Sequence, residues 1–181
     1  SSGGAGGGAV RTVIANGELM GKTLREALKV WGRDLLGCGD AAAMAGRDGT
    51  EGGFPLLVKF LDASENLSVQ VHPSPGYLAA HPGSGAHLKT ESWYIVDAAP
   101  GAKLYIGLRP GVTRAEFAAH CREGKGERVV DDLIAIPAVP GECHTLPSGT
   151  MHALGAGVLV AEVQTPSDTT FRVYDWGRTG R

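Results

Sequence analysis

Apolar and polar residues alternate without interruption through Leu67-Ser68-Val69-Gln70-Val71-His72-Pro73. Successive side chains of a strand point to opposite faces, so the pattern predicts a half-buried strand. Leu67, Val69 and Val71 would face a core, and Ser68, Gln70 and His72 would share the other face. Upstream, residues 54–61 form an apolar run of strand length bounded by turn residues, which predicts a buried strand. Residues 89–96 mix β-branched and aromatic side chains with polar ones, placing Lys89, Glu91 and Trp93 on one face and Thr90, Ser92 and Tyr94 on the other. Further strands are predicted at 102–108, 133–136, 142–146, from His152 onward, at 158–164 and at 169–174, separated by turns such as Ala99-Pro100-Gly101 and Pro140-Gly141.

Two segments carry a helical period instead. Thr23 is followed three residues later by Glu26, a capping box, and apolar residues then fall at Leu24, Ala27, Leu28, Trp31 and Leu35 before Gly37. This predicts an amphipathic helix packed against a sheet. Thr113 and Glu116 form a second capping box, opening a short helix to about Arg122 that carries His120 and Cys121. Residues 38–53 read as a loop with a short turn at 41–44, and residues 73–87, rich in Pro and Gly, as a binding loop bearing the solvated His81 and His87.

Many short strands with two or three short peripheral helices predict an all-β protein, a sandwich or jelly roll. Residues 1–9, nearly all Gly, Ser and Ala, are set aside as a flexible or tag-derived lead-in, leaving 10–181 as a single domain.

Composition narrows the function classes. At 181 residues with a formal charge of −2, the chain has no basic block, which argues against nucleic acid as a partner. No apolar run approaches the ~20 residues of a membrane helix, and the start lacks the pattern of a signal peptide, so a soluble cytoplasmic protein is expected. Cys38, Cys121 and Cys143 are scattered and odd in number, which disfavours a disulfide framework or a cysteine zinc knot. Any metal must then be held by His and oxygen ligands.

Gln70, His72, Glu91 and His152 come from three segments separated by turns. Two histidines, a carboxylate and an amide oxygen suit a borderline divalent ion such as zinc. Glu91 supports that reading, because a carboxylate inside a strand is costly unless paired or ligating.

Five collinear motifs add a resemblance. Residues 54–62, Ser68-Val69-Gln70-Val71-His72-Pro73, Lys89-Thr90-Glu91-Ser92-Trp93-Tyr94, 147–153 and 168–175 resemble, in order, the motifs of type I mannose-6-phosphate isomerases. The resemblance implies a cupin-type jelly-roll β-sandwich and one Zn2+ per chain held by Gln70, His72, Glu91 and His152. It implies a small-molecule sugar phosphate as partner, mannose 6-phosphate being interconverted with fructose 6-phosphate through an enediol or enediolate. Arg172 would be the active-site arginine, Ser68 and Lys89 would line the substrate pocket, and Glu162 would stand nearby. Arg172 and zinc would supply the electrostatics of the reaction, and Lys89 and Arg178 are the candidate cations for the phosphate. The general base stays open among Glu162, a zinc-bound water and a residue of the 73–88 loop.

The chain lacks the Trp-Gly-Gly strand that opens these proteins and stops three residues after Arg178. A minimal single-cupin member and a fragment are both compatible with that. Two other functions stay in view: an iron-dependent oxygenase built on two His and one carboxylate, and a non-catalytic sugar-phosphate sensor.

Overall fold

The strands of the computed structural model, which describes residues 13–37, 54–124 and 126–178, pair into two antiparallel sheets. The predicted lead-in at 1–9, the loop at 38–53 with its turn at 41–44, and Cys38 lie outside the described residues. The chain divides into two compact units between Pro55 and Leu56.

The first unit contains helix α1, Leu24–Leu36, and an isolated bridge from Val13 to Thr23. The capping box is formed as read: the Thr23 hydroxyl accepts from the Glu26 N–H at 3.2 Å, and the Glu26 carboxylate accepts from the Thr23 N–H at 2.7 Å. Gly32 breaks the helical path with φ 41°, a backbone state that side chains with a Cβ avoid, so the helix kinks there.

Among the described residues, nine strands are found, all in the second unit. They are β1 Leu57–Ala63, β2 Val69–Val71, β3 Glu91–Ala98, β4 Lys103–Leu108, β5 Leu133–Pro137, β6 Cys143–Leu146, β7 His152–Leu154, β8 Val158–Gln164 and β9 Phe171–Tyr174. One sheet runs β1-β8-β3-β6 and the other β5-β4-β7-β2-β9. Trp93, Ile95, Leu146, Val158 and Val160 from the first sheet and Leu104 and Leu154 from the second form one buried cluster between the sheets. Each such side chain contributes about 1.5–3 kcal/mol on burial. The unit is therefore a β-sandwich, as the alternation predicts.

Helix α2 spans Pro75–Ala80, α3 Arg114–Arg122 and α4 Gly126–Asp131. A second core on the rear of the five-stranded sheet joins Val69, Leu133 and Ala153 to Phe117 of α3 and Val129 of α4. His120 belongs to this support: its Nδ1 lies 2.7 Å from the Asp132 carboxylate. Among the described residues no helix is long and apolar enough to cross a membrane.

Four local expectations are corrected. The run at 54–61 is not a buried strand: β1 lies at the edge of its sheet and leaves Leu57, Val58 and Phe60 exposed. The 73–87 segment is not all loop: Ser74 caps α2 by accepting from the Tyr77 N–H, and Pro75 supplies a fixed φ in its first turn. Helix α4 was not foreseen. The strand expected over 67–73 is hydrogen-bonded only over three residues, because a register shift at Val69 and Gln70 interrupts its pairing with β9.

Candidate metal centre

The alternation of β2 carries Gln70 and His72 to the inner face of the five-stranded sheet, opposite Val69. Antiparallel pairing sets Gln70 directly across from His152 on β7 and Arg172 on β9, so the three residues form one rung across three strands. From the facing sheet, β3 delivers Glu91. His72, Glu91 and His152 are each at most 2 % exposed, and one ligand atom from each lies within 4.8 Å of the others.

The hydrogen bonds fix which atoms converge. His72 Nδ1 lies 3.0 Å from the Thr169 carbonyl and His152 Nδ1 lies 2.9 Å from the Thr150 carbonyl. A neutral imidazole has one N–H, and a carbonyl can only accept, so both rings spend their proton on the backbone. Their Nε2 lone pairs then face Glu91, at 3.0 Å from Oε1 for His72 and 3.5 Å from Oε2 for His152. Glu91 Oε2 is buried without a hydrogen-bond partner among the described residues. Lone pairs directed at lone pairs in a buried space call for a cation, and backbone acceptors on Nδ1 are the usual outer support of histidine ligands. The Gln70 amide nitrogen lies 3.2 Å from His152 Nε2; a half-turn of the amide would present its oxygen instead. The donor set of two imidazoles, a carboxylate and an amide suits zinc or a similar borderline divalent ion.

Lys89 is itself buried, and its ammonium lies 2.5 Å from Glu91 Oε1. Burial pushes the Glu91 carboxyl up, but the Lys89 ammonium, which donates to it and adds its charge, outweighs burial and holds its pKa low, at about 2. Burial lowers His152 to about 4, against the Thr150 hydrogen bond and the Glu91 charge, which raise it. Glu91 is thus ionised and His152 neutral at neutral pH, the forms in which each can ligate a metal.

A second rung crosses the four-stranded sheet two residues away. Glu162 on β8 pairs with Lys59 on β1 and Trp93 on β3. The Lys59 ammonium lies 3.3 Å from Glu162 Oε1, the Trp93 indole N–H donates to Oε2 at 3.1 Å, and Lys59 also donates to the Gln164 amide oxygen at 2.5 Å. Glu162 is buried at 4 % exposure. Lys59 was not among the sequence candidates; the only sign of it was a lysine interrupting an apolar run.

The other candidates separate. Arg172 is exposed and shares the Gln70 rung. Ser68 is half-buried, just before β2. Arg178 sits away from the rung in an exposed triad, 2.6 Å from Asp175 and 3.3 Å from Glu65. His81 and His87 are exposed, and Cys121 and Cys143 are free thiols.

No protein-family model matches the chain. Over 165 residues it is 41% identical to the probable mannose-6-phosphate isomerase GmuF of Bacillus subtilis, a match covering 91% of this chain and 47% of that protein. It is 38% identical over 167 residues to the mannose-6-phosphate isomerase of Streptococcus mutans, covering 92% and 48%. The crystal structure of the Bacillus subtilis mannose 6-phosphate isomerase superposes with a TM-score of 0.72 at 37% identity, over 94% of this chain and 49% of that one. A zinc-bound mannose 6-phosphate isomerase shares the fold, with a TM-score of 0.54 at 18% identity over 87% and 58%. The chain spans about half the length of the curated relatives it matches.

Proposed function

Because the chain belongs to the mannose-6-phosphate isomerase family, we propose that its β-sandwich is the isomerase centre, interconverting mannose 6-phosphate and fructose 6-phosphate. The observation that carries the metal half of this reading is the pair of imidazoles whose Nδ1 protons are committed to backbone carbonyls while both Nε2 atoms face Glu91. Gln70, His72, Glu91 and His152 would hold one Zn2+. When bound, such an ion supplies a fixed charge that stabilises negative charge developing on a sugar oxygen.

The reaction moves a proton between adjacent carbons through an enediol or enediolate. Glu162 is the chain's best-supported base: it is buried on the inner face, and Lys59 and Trp93 each hold one of its oxygens. A carboxylate fixed at both oxygens can take a proton from one carbon and return it to the other without reorienting. Arg172, on the Gln70 rung, offers a charged donor to sugar oxygens or phosphate at the open side of the site. Lys89 compensates Glu91 within the site and adds to the field that attracts a dianionic phosphate. Arg178 already has two carboxylate neighbours and contributes less. Ser68 would line the pocket beside β2. The cytoplasmic setting expected from the sequence fits a substrate that carries a charged phosphate.

The test is a coupled assay for fructose 6-phosphate formation with and without a chelator, with metal content measured in parallel. Chelator-sensitive conversion restored by zinc is expected. Metal retained with sugar phosphate bound but not converted would overturn the enzyme reading in favour of a sensor, and turnover that consumes oxygen would favour an oxygenase.

A further inference from the structure

Behind the metal-binding strands lies a cavity with a volume of about 820 Å3. Strand alternation sets its position. Gln70 and His72 point forward to the metal centre, and Val71 between them points back. On β7, His152 points forward, and Met151 just before it packs with the rear core. On β9, Arg172 pairs with Gln70, while Phe171 pairs with Val71. Val71, Met151, Phe171 and Val173 all line the cavity. Its floor is therefore built from the chain neighbours of residues that form the forward site.

Helix α3 supplies one wall. Arg114, Phe117, Ala118, Cys121 and Arg122 line the cavity at helical positions i, i+3, i+4, i+7 and i+8, which is one face of the helix. An arginine stands at each end of this face, about 12 Å apart along the axis at 1.5 Å per residue. No Asp or Glu is among the described residues that line the cavity, whereas Arg114 and Arg122 are. The ion pairs among the described residues involve neither guanidinium. A chain with a net charge of −2 thus keeps a largely apolar cavity whose charged lining residues, among those described, are the arginines Arg114 and Arg122.

Size and chemistry together define the occupant. Small-molecule sites are mostly apolar spaces of roughly 300–1,000 Å3 with a few placed polar groups. The apolar floor selects a hydrocarbon or aromatic body and gives little to a sugar. The arginines select an anionic head, since guanidinium is matched to phosphate, sulfonate or carboxylate. The geometry points to a second binding site, for an amphipathic organic anion, on the reverse of the sheet that carries the metal ligands. It is independent of the isomerase reading, because it needs neither the metal nor the reaction.

Methionine labelling gives a direct readout. The chain has three methionines, of which Met151 lines the cavity, Met20 belongs to the other compact unit and Met44 lies outside the described residues. The full chain, labelled with 13C at the methionine methyls, is titrated with octyl phosphate below its micelle concentration. The expected result is a saturable shift of the Met151 methyl. The double variant Arg114→Gln and Arg122→Gln, on exposed side chains, should weaken binding about tenfold or more. Ala118→Trp, which fills the wall, should abolish the shift while the unfolding midpoint is kept. Inorganic phosphate alone should leave Met151 unmoved, and octanol should bind much more weakly than octyl phosphate. An unresponsive Met151, equal binding of octanol, or full binding by the double arginine variant would each overturn the proposal.

Discussion

Glu91 Oε2 and His152 Nε2 lie 3.5 Å apart in the buried centre of the sandwich, each turning a lone pair toward the other. A buried acceptor without a partner costs about 1–3 kcal/mol, so the metal-free site is held together at an energetic cost. A cation removes that cost, and binding to the folded state alone adds about 2.7 kcal/mol at a hundredfold excess over Kd. Zinc should therefore raise the unfolding midpoint, with a stoichiometry of one per chain by metal analysis. Glu91→Gln should lower zinc affinity by about tenfold or more. A midpoint insensitive to zinc and chelator would count against the site.

Acid should weaken the metal-free fold in a defined window. His152 titrates at about 4 in the folded chain and near its ordinary 6.5 when unfolded. Between those values the unfolded state binds one more proton, so stability falls as pH drops from 6.5 to 4. Glu91, at about 2 instead of its ordinary 4.5, loses its contribution as pH falls from 4.5 toward 2. Unfolding midpoints of the metal-free protein should decline from pH 7 to 4. His152→Gln should flatten the upper part of that decline, as read by thermal denaturation across pH.

The β pattern and the convergence of His72 and His152 with Gln70 were legible because their signals are local. Period-two alternation placed Gln70 and His72 on one face, and the Thr23 and Thr113 capping boxes closed as three-residue spacings require. Helix α2 escaped because six residues beginning Pro-Gly show no apolar period, although Ser74 before Pro75 is a start signal. The Lys59, Glu162 and Trp93 rung escaped for a different reason. Its partners are 103 and 69 residues apart, so it exists only through strand register. The rear cavity is likewise a product of packing helices on the sheet, which no spacing along the chain encodes.

Lys59 should matter to both stability and turnover. Lys59→Met removes the cation beside Glu162 Oε1 and leaves a buried carboxylate oxygen without its donor. The loss should be about 1–3 kcal/mol in denaturant unfolding. If Glu162 is the base, isomerisation should slow by about tenfold or more through kcat, the typical scale of a misplaced general base. Unchanged kcat in a folded Lys59→Met protein would detach Glu162 from proton transfer.

Gly155 tests the packing that seats β7. It is buried, its N–H donates to the Lys103 carbonyl at 3.0 Å, and a Cβ there would collide with that same oxygen. Gly155→Ala must push β7 from β4 next to Leu154 and two residues before the turn at Gly157. Overpacking of this kind costs roughly 1–3 kcal/mol. A drop in the unfolding midpoint is expected, and a variant as stable as the parent would show that the β4 to β7 junction can open freely.

Arg172 separates substrate handling from metal binding. It shares a rung with Gln70, yet it is exposed, while the ligating atoms of His72, Glu91 and His152 are buried. Arg172→Ala should leave zinc content and the unfolding midpoint close to those of the parent, because it removes no ligand and no core contact. Its loss should instead appear in isomerisation, lowering kcat/KM by about tenfold to a thousandfold, the range for a charged donor acting on developing negative charge. Arg172→Lys should recover only part of this, since an ammonium cannot present the paired donors of a guanidinium. Loss of zinc from Arg172→Ala would move the residue from the substrate side of the rung to the metal side.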